Sequence, residues 1–361
     1  MKMRKIVCSF MISVVCFMTA ISGVSATSYD TSKINAAYSK VVEYYKNNNN
    51  LNNADKILAV ESLGLEAESN QFDTSSANLS STSLSKKIVT EVLLGVDPTK
   101  DKETLESQID ENGNVEGSWG ASLDVWTLYA LYVTSSEKTN LIANKLNDEL
   151  AASSVCGYEW GGTYYADYDT TGWVIEGLAV VNKEKYATTI NKAIDYIKNN
   201  TTMTTTGWVT ADNVDTQSQV LEGMFAYDTN ALLNDSYTVH PVDCLLNTQL
   251  SDGSFPSGYN AEYTTAEVAK TLGTYKNGSV IIKAKKAYDK MMNPEQPDNT
   301  KPAQPTDTKK DSQSTNKVET TNQKTTSVKT GDETNVVIFV SLSMVSGGLF
   351  LVLRKEYERV H

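Results

Sequence analysis

Asp169-Thr-Thr-Gly-Trp-Val-Ile-Glu-Gly-Leu178 is followed 46 residues later by Asp215-Thr-Gln-Ser-Gln-Val-Leu-Glu-Gly-Met224, with Asp, Thr, Val, Glu and Gly in the same places. A third copy, Tyr263-Thr-Thr-Ala-Glu-Val-Ala-Lys-Thr-Leu272, begins 48 residues further on. An earlier copy, Ser122-Leu-Asp-Val-Trp-Thr-Leu-Tyr-Ala-Leu131, begins 47 residues before the first. Recurrence at such a period marks a repeat architecture, and it leaves room for two helices and two loops per unit. Val174, Leu178 and Val181 have helical spacing. Thr170, Thr216 and Thr264 stand near each helix start, where a hydroxyl can cap free amides; Asp169 and Asp215 could also cap there and favour the helix dipole. Gly177, Gly223 and Ala130 are small residues that would let helices approach closely at a crowded centre. The intervening segments are amphipathic, as in Lys183 to Lys198 with Tyr186, Ile190, Ala193, Ile194 and Ile197. Strand signals are sparse. The reading is an all-α array of about five or six helical hairpins, one inner and one outer helix in each.

The array is expected over residues 27–293, with other grammar on both sides. Lys2, Arg4 and Lys5 precede an apolar run from Ile6 to about Ile21 and the small residues Val24-Ser25-Ala26, the pattern of a signal peptide over 1–26. Residues 294–330 set Pro294, Pro297, Pro302 and Pro305 among Thr, Ser, Asn, Gln and Lys, which predicts a disordered cell-wall spacer. Residues 335–353 carry no charge and end at Arg354-Lys355, long enough to span a bilayer with a basic cytoplasmic stop. Just before this helix, Ser327-Val328-Lys329-Thr330-Gly331 resembles the Leu-Pro-any-Thr-Gly signal that sortases cut in Gram-positive surface proteins, with Ser327 and Val328 replacing Leu and Pro. The resemblance implies cleavage between Thr330 and Gly331 and attachment of Thr330 to peptidoglycan, within a sorting signal over 331–361; a plain transmembrane anchor is the alternative. Either way the folded part is expected outside the cell, held at the wall or plasma membrane.

The formal charge of the 361-residue chain is −12, and loss of the three leader cations takes it to −15. An acidic surface repels nucleic acid and anionic lipid, so no nucleic-acid partner is expected. Cys8 and Cys16 leave with the leader. Cys156 and Cys244 remain, and in an oxidising compartment they form either a disulfide or two buried thiols. His240 is the one histidine of the exported domain, too poor a ligand supply for zinc; no metal is expected.

Gln249-Leu-Ser-Asp-Gly-Ser-Phe255 followed by Thr264-Thr265-Ala266 resembles the prenyltransferase and squalene-cyclase repeat. Lys87 to Pro98, and Tyr164 to Leu178 around Asp167-Tyr168-Asp169-Thr170, resemble the exported, transcobalamin-like branch of that family. The resemblance covers roughly residues 50 to 290. It implies an α/α toroid, a fold that also serves cobalamin carriers and complement thioester domains, so it does not fix the function.

Several chemistries can be weighed on this frame. The class II terpene cyclases use Asp-any-Asp-Asp-Thr-Ala, and the resemblance places Asp169 on the acid position, beside Asp167, with Thr170 and Gly172 where Asp and Ala would stand. Cys156-Gly157-Tyr158-Glu159 has thioester spacing but Glu in place of the Gln that chemistry needs. A glycosidase needs two carboxylates flanking a sugar bond, and aromatics such as Trp126 and Trp173 could stack on sugar, although several Trp side chains are expected to plug the core or turns. Glu176 and Glu222 recur at equal register, which suggests a structural role. The favoured reading is binding, without catalysis, at a mouth formed by the inner-helix N-termini: Trp119, Trp160, Tyr164, Asp167, Asp169, Trp208, Asp215 and Tyr259 are the candidate ligand residues. The ligand would be a small molecule, a glycan or a host protein; the resemblance implies that it could be a corrinoid, and no resident cofactor is expected. An enzyme, terpene-cyclase-like or glycan-active, and an adhesive or structural surface protein are the rival classes.

Overall fold

The computed structural model describes residues 29–68, 79–160, 163–201 and 213–294, with only the backbone at 158–160. All of these fall within one compact unit. The expected signal peptide, most of the spacer, the sorting signal with Thr330 and Gly331, the helix over 335–353 and Trp208 lie outside the described residues. Among the described residues no helix is long and apolar enough to cross a membrane.

The described chain is mostly helical, in the order α1 (Thr31–Asn47), α2 (Ala54–Ser62), α3 (Ser81–Leu93), α4 (Thr99–Ser107), α5 (Ala121–Val133), α6 (Thr139–Ser153), β1 (Gly157–Trp160), β2 (Thr163–Ala166), α7 (Tyr168–Asn200), α8 (Val214–Asn234), α9 (Pro241–Leu246), α10 (Ala261–Asn277) and α11 (Val280–Met292). Two kinds of helix can be told apart by burial. In α5, the first half of α8 and most of α10 nearly every residue is buried, as for helices surrounded on all sides. In α1, α6, the second half of α7 and α11 a single stripe is buried, such as Ile34, Ala37, Val41 and Tyr45, or Tyr186, Ile190, Ala193 and Ile197. The surrounded helices follow one another as neighbours: α2 packs on α3, α3 on α5, α5 on α7, α7 on α8, α8 on α10, and α10 returns to α2.

The 46-residue recurrence is visible in the backbone. α7 breaks at Asn182 (φ −165, ψ 90) and α8 at Asp228 (φ −157, ψ 92), positions in the same register. At each break the side chain caps the helix that follows: Asn182 Oδ1 accepts from Lys185 N at 3.0 Å, and Asp228 Oδ1 from Ala231 N at 2.9 Å. The close approach expected at Gly223 is present. A Cβ there would lie 2.3 Å from Gly172 O, and one on Gly172 would lie 2.3 Å from Gln219 O. Gly177 instead faces side chains of α5, the nearest being Leu128 at 3.1 Å.

Three features depart from a plain alternation of hairpins. The antiparallel β1–β2 ribbon occupies the turn before α7, with Gly157 opposite Ala166. α1 packs on α9 and α10, and Gln249 Nε2 donates to Ala37 O at 3.1 Å. α11 lies against α3 and α5. Cys156 and Cys244 are buried, and no disulfide joins them. Cys156 is held beside α7, its amide donating to Thr171 Oγ1 at 2.9 Å, whereas Cys244 sits in α9, against α8 and α1.

Candidate functional site

The N-terminal ends of α7, α8 and α10 carry the candidate carboxylates. Capping is done by other residues than the Thr or Asp side chains named from the repeat. Asn213 Oδ1 accepts from the amides of Asp215 and Thr216 at 3.1 and 3.4 Å, and Asn260 Oδ1 accepts from those of Glu262 and Tyr263, both at 3.1 Å. Asp167 occupies the N-cap position of α7 and accepts a hydrogen bond from the Thr170 hydroxyl. An Asn two or three residues upstream satisfies the free amides and leaves the acid of the first turn for other contacts. Asp215 is 3 % exposed and accepts a hydrogen bond from the Tyr259 hydroxyl.

Asp215 and Tyr259, with Asn213, Val214, Pro256, Ser257, Gly258 and Thr264, line a pocket of about 230 Å³. The Tyr259 ring is 46 % exposed on its wall and 6.1 Å from that of Tyr263. Burial pushes the Asp169 carboxyl up to about 8, reinforced by the charges of Asp167 and Asp215 and opposed by the Thr216 hydroxyl. Burial also raises Asp215 to about 6, against the Thr264 and Tyr259 hydroxyls, and raises Asp167 against Thr170. Asp167, Asp169 and Asp215 therefore share one electrostatic environment. Tyr164, on β2, is within its reach through Asp167; it donates from its hydroxyl to Val155 O at 2.8 Å and leaves its ring half exposed. Trp119, 53 % exposed, precedes α5 beside the ribbon, and Trp160 lies within β1. The pocket wall gathers Asp215 and Tyr259; Trp119 and Tyr164 stand apart on the α5 and β1–β2 side.

Below this rim the space between the helices is filled by the repeat's own side chains, in layers set by register. Seven residues after the start of each copy stand Tyr129, Glu176, Glu222 and Lys270; four residues after it stand Trp126, Trp173, Gln219 and Glu267. Neighbours within a layer touch. Tyr129 donates to Glu176 Oε2 at 3.0 Å, and Lys270 Nζ lies 3.8 Å from Glu222 Oε2. The Trp126 and Trp173 rings are 5.9 Å apart, and Gln219 Nε2 donates to Glu267 Oε2 at 3.2 Å. Lys270 also pairs with Glu267 at 3.0 Å, and both it and Lys86 lie over the Trp126 ring, at 5.4 and 4.5 Å. Ser279, at the N-cap of α11, closes the group by donating to Glu176 Oε1 at 2.6 Å. Burial would push the Lys270 ammonium down, yet Glu267, Glu222 and Asp55 hold it above its ordinary value; burial keeps Glu222 well above the carboxylate range despite Lys270.

This buried ion network was missed in reading the sequence. The signal was the substitution of Lys for Glu at one register position, Lys270 against Glu176 and Glu222. Among the described residues no three His, Cys, Asp or Glu side chains are grouped to hold a metal ion. Comparison of the chain with protein-family models, with curated proteins and with solved structures finds no match.

Proposed function

We propose that the chain is a surface-displayed binding protein whose helices form an α/α toroid, and that it takes a glycan or small polar molecule at the rim of the ring. The circuit from α2 round to α10 and back supports the toroid. The observation that carries the binding reading is the contrast between rim and interior. The interior is filled by the repeat's own polar side chains, Lys270 against Glu222 and Glu267, whereas the rim presents a pocket with a buried acid and a half-exposed tyrosine ring. Carboxylates and hydroxyls that can share hydrogen bonds with sugar hydroxyls, beside an aromatic face, are the usual equipment of a small polar site. At about 230 Å³ the pocket has room for one sugar-sized group. A corrin ring, larger than this pocket, would have to lie across its mouth beside Tyr259. Display at the cell surface rests on the leader-like 1–26 and the sorting-signal-like Thr330-Gly331 with its apolar 335–353.

The test is thermal melting of the protein against panels of oligosaccharides, corrinoids and isoprenoids, because a ligand that binds only the native state raises the midpoint. A shift with oligosaccharides that is lost in Asp215→Asn supports the reading. A shift confined to isoprenoids, or no shift with any ligand together with adhesion to partner cells, refutes it.

A second reading has its own observation. Asp169 at about 8 and Asp215 at about 6 are two carboxyls at one site, one protonated and one ionised near neutral pH, as a general acid and base require. Release of reducing sugar that disappears in Asp169→Asn would favour a glycan-active enzyme.

A further inference from the structure

Seven carboxylate residues are buried among the described residues: Glu61, Glu91, Asp124, Glu176, Asp215, Glu222 and Glu267. An unpaired buried charge is costly, and the fold meets this cost nearly everywhere with a lysine. Glu61 has Lys283 at 2.6 Å, Glu91 has Lys87 at 3.5 Å, Asp124 has Lys145 at 3.0 Å, and Glu222 and Glu267 share Lys270. Glu176 receives two hydroxyl donors, Tyr129 and Ser279. Asp215 is the exception. Tyr259 donates to its Oδ2; Oδ1 is buried with no hydrogen-bond partner, as is one oxygen each of Glu91, Asp124, Glu222 and Glu267, but those four acids have a lysine and Asp215 has none. The nearby Thr264 hydroxyl, which opposes the rise of the Asp215 carboxyl, has a single proton to share between Asp215 and Asn260 O, 3.1 Å away.

No lysine stands in for the missing partner. Among the described residues no cation pairs with Asp215, Asp169 or Asp167, and the intervening segments 69–78, 161–162 and 202–212 contain neither Lys nor Arg. Asp215 lies on the wall of the pocket, and Tyr259 puts a half-exposed ring beside it. A positive group arriving there would meet the Asp215 carboxylate, which no lysine neutralises, and an aromatic face that attracts cations. It would complete the pattern that lysines complete elsewhere in the fold.

We propose that this pocket is an ammonium subsite, in which Asp215 receives the protonated amino group of an amino sugar while Tyr259 packs against the ring that carries it. The inference rests on the glycan reading above for the sugar, and on Asp215 alone for the ammonium. The ligand class is thus a glycan with free amino groups, not an acetylated or neutral one.

The test is isothermal titration of the full chain at neutral pH and low salt with a glucosamine tetramer, its fully N-acetylated counterpart, cellotetraose, and methylammonium chloride. The expected result is that the free amine tetramer binds about tenfold or more tighter than the acetylated one, the contribution of one charge-assisted hydrogen bond. That preference should vanish in Asp215→Asn and shrink in the wild type as salt is raised. The salt series carries the test if the variant fails to fold. Equal affinity for all three tetramers overturns the ammonium subsite and leaves the glycan reading standing. Binding of methylammonium with no oligosaccharide binding upholds the subsite and sinks the glycan reading. No binding of any of the four overturns both.

Discussion

Replacing Lys270 by Met should be among the most damaging single changes this protein can suffer. Lys270 is 3 % exposed and sits 3.0 Å from Glu267 and 3.8 Å from Glu222, themselves almost wholly buried. Its removal strands two acids with no other cation among the described residues: there Glu267 keeps the Gln219 amide, and Glu222 a long hydrogen bond from Thr274 at 3.4 Å. Breaking a buried pair in this way costs about 3–5 kcal/mol, a large part of the roughly 5–15 kcal/mol that holds a domain together. Glu222, which burial already holds well above the carboxylate range, loses the ammonium that opposed this and must rise further in the folded variant. A carboxyl whose folded pKa is raised holds its proton in the fold while the unfolded chain has lost it, so stability falls as pH rises above the ordinary carboxylate value. The deficit should therefore be small near pH 4 and full at pH 8. Urea denaturation at several pH values measures it, and adding Glu222→Gln and Glu267→Gln to Lys270→Met should restore most of the loss at pH 8. A single-variant deficit under about 1 kcal/mol at pH 8, set against the magnitude expected for a broken buried pair, would refute the view that Lys270 holds these carboxylates in the interior.

Gly223→Ala should cost about 1–3 kcal/mol in the same assay, because its methyl would meet the Gly172 carbonyl and force α7 and α8 apart. Asp169→Asn should raise the melting midpoint at pH 8 and leave it nearly unchanged at pH 4: the carboxyl pushed up to about 8 loses stability as pH climbs between those values, and the amide does not titrate. Cys156 and Cys244 should react with maleimide only after denaturation, and a reducing agent should leave the midpoint unmoved, since both are buried and no disulfide joins them.

The helical class and the period were legible because they depend on local spacing. The Asp169 and Asp215 copies repeat Val, Glu and Gly in register, and in the structure Asn182 and Asp228 break their helices at that same register. The equal spacing of Glu176 and Glu222 was enough to suggest a structural role for both. The partners were not legible. Nothing near Glu176 in the chain announces Ser279, 103 residues away, and nothing near Asp215 announces Tyr259. Capping was misassigned because the helices begin earlier than the repeated block, so Asn213 and Asn260, outside it, reach the free amides first. The ribbon before α7 was missed because its strands are four residues each and every side chain of β2 is exposed, which leaves no apolar alternation to read.

The return of α10 onto α2 bears on how this protein comes apart. A linear stack of repeats has two free ends, from which units can melt one after another. Here α1, the first helix among the described residues, lies across α9 and α10, and α10 packs on α2, so the described helices at the two ends of the array cover one another. Loss of the α10 hairpin would expose α8 and α2 at once and sever Lys270 from Glu222. Melting should accordingly pass through a single cooperative step, and deleting or duplicating one 47-residue unit, harmless in many open arrays, should here abolish folding altogether.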